Sequence, residues 1–328
     1  MNPFQNAMPA SFLQSEKWED FQKATGKPVF RIQNALIIKN DLPFGKSWLY
    51  VPRISAITDL DKFFCEVMSL SKKERAIFCK IEPENFPLEQ KIISNVKQKL
   101  NVLTPAKAVQ PTTTLRLDLS KSEDEILEQM KPKTRYNIRL ALRNRVEVIQ
   151  GKTIKQFWSL AQKTALRQEI KFHSKLYYEK MAQILADDLK IYYAAQGEKI
   201  LAGALILQWG SVGYYLHGAS DWSSRQLMAS FALHWEIIKL VKKAGCRWYD
   251  FWGIAPAPGR GNAKSQNKKQ EYEFDASHPW AGIARFKLGF APQGKVIVYP
   301  LAIDLIFEPF WYNVYSVRGK FKFFKIEN

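Results

Sequence analysis

Residues Tyr249–Ile254 have the sequence YDFWGI, an aromatic-rich run that leads to Gly253. A short run of this kind, bounded by glycine, is typical of a buried strand. Helical periodicity predicts a long helix over Leu227–Ala244 immediately before it, and the strand itself is predicted over Arg247–Trp252. The pairing of a long helix with a buried strand, next to predicted antiparallel hairpins, indicates a mixed α/β (α+β) fold.

A lysine stands in a second informative run, HPWAGIARFKLGF at His278–Phe290, where Lys287 lies between Phe286 and Leu288. A lysine held among aromatic and aliphatic neighbours is partly desolvated, so it interacts strongly with a nearby negative charge. Such a cation, aimed at a developing oxyanion, can stabilise a transition state by several kcal/mol. The alternative is structural: a lysine at a strand edge whose ammonium group reaches solvent.

The length of the chain, 328 residues, exceeds one typical hydrophobic core and predicts two domains. A first series of strands and helices ends near Gly151, where a second series starts. The first series is predicted as strands Val29–Lys39, Trp48–Val51, Ala76–Ile81 and Thr112–Leu119, with helices Leu60–Leu70 and Leu88–Leu100. A capping box from Ser122 to Glu125 and a proline at position 132 each predict a further helix start. The aromatic and basic stretch Leu305–Lys320 is expected to dock on the first domain as a helix or to touch a membrane surface.

The chain is strongly basic, with Lys+Arg 49 against Asp+Glu 31 and a net charge of +18. Such a charge attracts polyanions or an anionic membrane surface. The helix predicted after Pro132 has apolar residues on one face and, on another, basic residues four positions apart: Lys131, Arg135, Arg139 and Arg143. The apolar face is predicted to include Ile138, Ala141 and Leu142. A second basic stretch, Ala255–Ser277, is predicted to be a mobile loop and carries Lys264, Lys268 and Lys269. For the basic residues of the helix after Pro132, the structural alternative is a solvated helix face that binds no ligand.

Several function classes are excluded by missing motifs: the sequence has no GxSxG, P-loop, GxGxxG or HExxH motif. The histidines lack metal-ligand spacing, so no metal is predicted, and His234 is expected to be structural. Met228 stands where acetyltransferases carry a glycine-rich turn that cradles the coenzyme A pyrophosphate, so no cofactor is predicted either. The N-terminus lacks a secretory signal, and no window approaches the roughly 18 apolar residues of a spanning helix. We therefore expect a soluble, cytoplasmic protein.

Five segments of the chain resemble the Fem-type peptidoglycan-bridge aminoacyltransferases, in the order in which that family carries them. They are Gln14-Ser15 with Trp18 and Phe21; Val109-Gln110-Pro111 with Leu117-Asp118-Leu119; Lys133-Thr134-Arg135 with Ile138 and Val146-Glu147-Val148; His173-Ser174 with Tyr177-Tyr178; and Tyr249–Ile254 with His278–Phe290. The resemblance implies two tandem acyl-CoA N-acetyltransferase-like (GNAT) domains, with the C-terminal end returning to the first. The expected domains are therefore residues 1–149 plus 299–328, and residues 150–298.

The resemblance also implies a reaction. An amino acid would move from aminoacyl-tRNA to the side-chain amine of the stem peptide in a peptidoglycan precursor, either UDP-MurNAc-pentapeptide or lipid II. Lys287, paired with Phe286, would stabilise charge on the aminoacyl ester carbonyl as the amine attacks. Precursor-binding positions are implied at Tyr177, His173, His217 and, near the N-terminus, at Lys23 or its neighbour Gln22.

An aminoacyl-tRNA partner is consistent with the basic charge, since an RNA backbone is a polyanion. The candidate RNA contacts are the basic helix face from Lys131 to Arg143 and the lysines of the Ala255–Ser277 loop. A peripheral contact with the inner membrane surface is also open. Two other functions remain as alternatives: an acyl-CoA-dependent N-acyltransferase acting on another amine, and a non-catalytic RNA- or membrane-binding protein with the same fold.

Overall fold

The computed structural model of the chain describes residues 11–99, 103–168, 172–258 and 271–320. The chain divides into two compact units. The central unit contains Thr113–Val298, and the N-terminal unit contains the described residues before Thr113 and those from Tyr299 onward. The predicted boundary near Gly151 therefore differs from the observed one. The strand at Thr113–Asp118 pairs inside the sheet of the central unit, which places residues 113–149 there.

The N-terminal unit begins with a helix and a meander of three strands. Its first elements are α1 (Glu16–Ala24), β1 (Val29–Ile32), β2 (Ala35–Leu42), β3 (Lys46–Ile54), α2 (Leu60–Lys73), β4 (Ala76–Pro83), α3 (Phe86–Lys99) and β5 (Leu103–Ala106). The side chains of Ser15 and Asp59 cap α1 and α2 by accepting a hydrogen bond from the amide three residues further on. The single strand predicted over Val29–Lys39 is instead the β1–β2 hairpin, because Gln33 turns the chain with a left-handed φ of 52°.

The central unit follows in chain order. Its elements are β6 (Thr113–Asp118), α4 (Glu123–Gln129), α5 (Pro132–Arg143), β7 (Glu147–Gly151), α6 (Lys155–Gln168), α7 (Lys175–Ile184), β8 (Leu189–Gln196), β9 (Lys199–Trp209), β10 (Val212–Ser220), α8 (Ala229–Lys243), β11 (Trp248–Gly253), α9 (Ala281–Phe290) and β12 (Lys295–Val298). The predicted capping box opens α4: the amide of Glu125 donates to Ser122 Oγ at 3.2 Å, and the amide of Ser122 donates to Glu125 Oε2 at 2.7 Å. Pro132 opens α5, as predicted.

After Val298 the chain completes the sheet of the N-terminal unit. β13 (Ala302–Ile306) lies between β4 and β5 in the order β1-β2-β3-β4-β13-β5, and α10 (Pro309–Lys320) ends the described chain. A buried ion pair joins Lys80 Nζ to Asp304 Oδ1 at 2.7 Å, and the Tyr312 hydroxyl donates to the other carboxylate oxygen at 2.8 Å. Tyr312 also packs edge-on against Phe78 of β4. These contacts fix α10 on the sheet, so Leu305–Lys320 is a strand end followed by a docked helix.

The sheet of the central unit has the order β12-β6-β11-β10-β9-β8-β7. Every neighbouring pair is antiparallel except β10 and β11, which are parallel and are joined by α8. The buried face of α8 includes Leu233, Ile237 and Val241, and it forms one core with the sheet. This arrangement leaves one parallel junction in an otherwise antiparallel sheet.

Part of the predicted basic loop, residues 259–270 with Lys264, Lys268 and Lys269, lies outside the described residues. Within the described residues, none of the helices has the length and apolar character required to cross a membrane. Nor does the described part of the chain hold a group of three or more His, Cys, Asp or Glu side chains that could bind a metal ion.

Candidate active site

The parallel junction between β10 and β11 opens into a crevice. The two strands pair only over Val212–Tyr214 and Trp248–Asp250, and beyond these residues each strand follows its outer neighbour, β9 or β6. Both strands also carry a register shift just past the junction, one between Tyr215 and His217 and one between Asp250 and Gly253. Crevices at the carboxyl ends of parallel strands are common ligand sites in α/β sheets.

Lys287 reaches this crevice from α9. Its side chain is only 6% exposed, its Nζ donates a 2.7 Å hydrogen bond to the carbonyl oxygen of Gly253 at the end of β11, and Nζ lies 5.5 Å from the ring centre of Tyr215 on β10. The structural alternative, a lysine at a strand edge with its ammonium in solvent, is therefore wrong. The residue lies on a helix and its Nζ is buried between the two parting strands.

Burial lowers the pKa of Lys287 to about 7, and the negative charge of Asp250 opposes the shift. Both protonation states are therefore populated near neutral pH. In the charged form, Nζ has little water to screen it, so its interaction with a negative charge in the crevice is much stronger than at the surface. The geometry thus provides a cation suited to a developing oxyanion, and one that is lost as pH rises.

Asp250 supports the strand end that holds Lys287. Its buried carboxylate accepts from Nε of Arg116 at 2.7 Å and from the backbone amide of Trp252 at 2.7 Å. Trp252 has a left-handed φ of 62°, at the register shift that precedes Gly253. Burial raises the pKa of Asp250, while Arg116 opposes that rise. The carboxylate therefore fixes the bulge that presents the Gly253 carbonyl to Lys287, and its signal in the sequence is the acidic residue inside YDFWGI.

An aromatic wall surrounds the site. His234 of α8 is buried, its Nδ1 lies 3.1 Å from the hydroxyl oxygen of Tyr249, and its ring packs against Phe286 and Phe290. Burial, together with the charge of Lys287, lowers the pKa of His234 to about 3, so the imidazole is neutral at neutral pH. The structural role predicted for His234 agrees with this packing. His234 nevertheless lies close enough to Lys287 for the charge of the lysine to disfavour protonation of the imidazole.

Three of the four predicted precursor-binding residues form a second cluster around His217, which lies on β10 at the register shift just past the junction. The His173 ring stacks on Tyr177 at 3.8 Å and lies edge-on to His217 at 5.9 Å. Tyr178, buried beneath, contacts His217 at 5.1 Å. Burial and the neighbouring His173 lower the pKa of His217 to about 3, so it also is neutral. The fourth residue, Lys23, belongs to α1 of the N-terminal unit and pairs with Glu19 at 2.8 Å.

The predicted basic face of α5 is only partly available to a ligand. Lys131 forms an ion pair with Glu271, and Arg135 donates to the backbone carbonyls of Glu128, at 2.8 Å, and Met130. The remaining members are exposed, namely Arg139 and Arg143. Leu142, predicted on the apolar face, is half exposed. The guanidinium carbon of Arg143 lies 6.0 Å from the ring centre of the exposed Tyr136, and Lys133 Nζ lies 5.2 Å from the same ring.

An exposed indole with two guanidinium groups close to its ring was not predicted from the sequence. Trp222 is 54% exposed, with the guanidinium carbons of Arg167 and Arg225 at 4.4 Å and 5.0 Å from its ring. Arg225 and Trp222 belong to the turn before α8, and Arg167 belongs to α6, so only the fold brings them together. Met228, which ends the turn, adopts the left-handed conformation (φ 55°) that a glycine takes more easily.

Comparison with known proteins identifies the family to which the chain belongs. The sequence profile of the FemAB family matches residues 2–196, and the profile of an acetyltransferase (GNAT) domain matches residues 132–266. The lipid II:glycine glycyltransferase of Staphylococcus haemolyticus (strain JCSC1435) is 35% identical over 60 residues, which are 18% of this chain and 14% of that protein. The chain thus matches only a small part of this curated relative.

Two solved structures share the fold over nearly the whole chain. FemX superposes with a TM-score of 0.70 at 18% identity, covering 93% of this chain and 94% of that one. L-PGS from Bacillus licheniformis has a TM-score of 0.53 at 12% identity, covering 96% and 98%. These likenesses and the GNAT match confirm the predicted mixed α/β class with GNAT-like architecture. The FemAB profile spans more than half of the sequence, and the chain belongs to the FemAB family.

Proposed function

We propose that this protein transfers an amino acid from aminoacyl-tRNA to the side-chain amine of a stem peptide in a peptidoglycan precursor. The observation that carries the proposal is the buried ammonium of Lys287, held on the Gly253 carbonyl in the crevice between β10 and β11. Membership of the FemAB family and the partial match to a lipid II:glycine glycyltransferase support the substrate class. Lipid II and UDP-MurNAc-pentapeptide are the two candidate acceptors.

In the proposed reaction the acceptor amine attacks the carbonyl carbon of the aminoacyl ester. A C–N bond forms, the C–O bond to the terminal ribose of the tRNA breaks, the amine gives up a proton and the ribose oxygen gains one. Negative charge develops on the carbonyl oxygen in between, and the Lys287 ammonium stabilises it. Phe286 adjoins Lys287 and packs on His234 and Phe231, and so holds that part of α9 against α8.

The aromatic cluster of His173, Tyr177 and His217 is the proposed acceptor site, since it adjoins the crevice along β10. Its stacked rings and neutral imidazole offer apolar faces and hydrogen-bonding nitrogens to a precursor. Lys23, or its neighbour Gln22, remains a proposed precursor-binding residue on the family resemblance alone.

The proposed donor contacts are the Arg167–Trp222–Arg225 stack and the exposed members of the α5 face, Arg139 and Arg143. Exposed aromatic rings bind single-stranded RNA by stacking on its bases, and flanking guanidinium groups pair with its phosphates. Lys131 and Arg135 have intramolecular partners and so are weaker candidates than the sequence suggested. Lys268 and Lys269 are retained as proposed contacts from the sequence alone.

A second candidate function is acyl-CoA-dependent N-acyl transfer to another amine. The GNAT match and the left-handed turn at Met228, just before the N-terminus of α8, favour it. Acetyltransferases use such a turn for the coenzyme A pyrophosphate, whereas here the Met228 side chain packs against the core. A coenzyme A binding titration by calorimetry separates the two candidates.

The direct test is a mass-spectrometric transfer assay with purified protein and a charged total tRNA pool, run in parallel with nucleotide-linked and lipid-linked precursor. A gain of one amino-acid residue mass in either precursor supports the proposal and identifies both substrates. An unchanged precursor in both tubes, with tRNA still bound, contradicts it and favours a non-catalytic RNA-binding role.

A further inference from the structure

Three turns of the N-terminal unit meet at one edge of its sheet. They are the turn at Pro43–Gly45 between β2 and β3, the turn at Arg75 before β4, and the turn between β13 and α10. β3 and β4 are parallel and start together, with Ser47 opposite Ala76, and β13 runs the other way and ends beside the start of β4. The topology therefore gathers the side chains of these three turns on one surface.

Large aromatic side chains are exposed on this surface. Phe44 is 65% exposed and Phe310 is 71% exposed, and both rings contact Trp311, at 5.8 Å and 5.6 Å between ring centres. We call Phe44, Phe310 and Trp311 the aromatic edge. Single exposed apolar residues are ordinary on soluble proteins, but contiguous clusters mark interaction sites.

The backbone at Phe44 makes the exposure more notable. Phe44 has φ 62° and ψ 27°, and Gly45 after it has φ 64°, so two consecutive residues are left-handed. A residue with a Cβ atom rarely takes this conformation, and in turns the position usually holds asparagine or glycine. At position 44, therefore, a mostly exposed phenyl ring occupies a backbone conformation that asparagine or glycine takes more easily.

Positive charge borders the aromatic edge. Lys46 Nζ lies 5.5 Å from the Trp311 ring and pairs with Glu308, and the guanidinium of Arg75 lies against Gly45. Lys72 and Lys73 are exposed at the end of α2, on the segment that leads to Arg75. Aromatic rings interleaved with lysine and arginine are the composition of surfaces that lie at a membrane interface, where rings enter the headgroup region and cations meet anionic lipids.

We propose that the aromatic edge, with Lys46 and Arg75, docks the N-terminal unit on an anionic lipid bilayer. The charge of +18 on the whole chain complements such a surface. The inference does not depend on the transfer reaction, because no residue of the aromatic edge belongs to the candidate active site. It would bring the enzyme to the interface where a lipid-linked acceptor resides.

The test is co-sedimentation of the full chain with vesicles of phosphatidylcholine alone and of phosphatidylcholine with phosphatidylglycerol, both free of precursor. Wild-type protein is expected to bind the anionic vesicles and to release them at high salt only in part, because ring insertion persists when charges are screened. The double variant Phe44→Asn with Phe310→Ser is expected to bind about a hundredfold more weakly, about tenfold for each ring lost. Asparagine tolerates the left-handed turn, so the variant should unfold at the same temperature or higher.

The matched control is Leu166→Ser, which removes an 83% exposed side chain from the central unit and should leave vesicle binding unchanged. Failure of wild-type protein to bind anionic vesicles would overturn the proposal, as would equal binding by wild type and the double variant. A third overturning result is a dimer of the wild-type chain that the double variant abolishes in sedimentation equilibrium, since the aromatic edge would then contact a second copy. Because no precursor or tRNA is present, none of these outcomes bears on the transfer reaction.

Discussion

Replacement of Lys287 by methionine removes the positive charge while keeping an unbranched chain of similar length. The ammonium of Lys287 is buried, with little solvent to screen it. With an effective dielectric constant of about 20, the Coulomb interaction between this ammonium and a unit negative charge about 4 Å away is about 4 kcal/mol. Only part of this is realised in a transition state, and the loss of one oxyanion-stabilising group typically lowers kcat by about 10²–10³-fold. We therefore expect a fall in kcat of that size, with tRNA affinity changed by less than about threefold.

The assay is single-turnover transfer from radiolabelled aminoacyl-tRNA, with tRNA binding measured in parallel by filter retention. Lys295→Met is the matched control, because it makes the same replacement at an exposed lysine of the same unit. A kcat for Lys287→Met within about threefold of wild type would show that the Lys287 ammonium does not stabilise the transition state.

The same variant tests the protonation state of Lys287. The folded-state pKa is about 7, whereas that of an unfolded lysine is about 10.4. Between these values the unfolded chain binds more protons, so the free energy of unfolding of wild type should rise with pH from about 7 to about 10, relative to Lys287→Met. In the same range kcat/KM should fall, because the ammonium becomes neutral. Parallel pH curves for the two proteins would contradict the assigned shift.

Three further predictions address the supporting structure. Gly218→Ala should lower kcat more than tenfold, because the added Cβ would lie 1.6 Å from the hydroxyl oxygen of Tyr215 and would displace the ring beside Lys287. The control Gly282→Ala has open space around its Cβ and should keep the wild-type kcat. Equal kcat values for the two variants would exclude a role for the Tyr215 ring. Trp222→Ala should weaken tRNA binding by about tenfold in filter retention without changing acceptor binding, and unchanged tRNA affinity would remove this residue from the donor site. Asp304→Asn should lower the free energy of unfolding by about 3 kcal/mol in urea titration, because it leaves a buried lysine without its counter-charge; a loss below about 1 kcal/mol would count against that view.

The sequence predicts helices well where the signal for their first residue is local. The capping box at Ser122 and the proline at position 132 locate α4 and α5 because both signals are local. The domain boundary near Gly151 was wrong because strand pairing is non-local: β6 joins β11 and β12, more than a hundred residues further along the chain. The β1–β2 turn was missed because glutamine at position 33 carries no turn signal.

In the candidate site, too, the features with a local signal were predicted and those that depend on packing were not. Lys287 could be singled out because a charged residue among apolar ones is visible in any sequence, but its helix, its bond to Gly253 and its burial are products of packing. The grouping of His173, Tyr177 and His217 came from the family resemblance, and the fold gathers all three. The Arg167–Trp222–Arg225 stack had no local signal, since its first member is more than fifty residues from the others.

The proposed donor of the transferred group is a charged tRNA, and the mass of the precursor after incubation with each possible donor tests this proposal. Intact aminoacyl-tRNA, the same pool after ribonuclease and base treatment, and acetyl-coenzyme A are compared with the same protein and precursor. We expect a gain of one amino-acid residue mass with intact aminoacyl-tRNA and with no other donor. A gain of an acetyl group from acetyl-coenzyme A, with none from aminoacyl-tRNA, would contradict it.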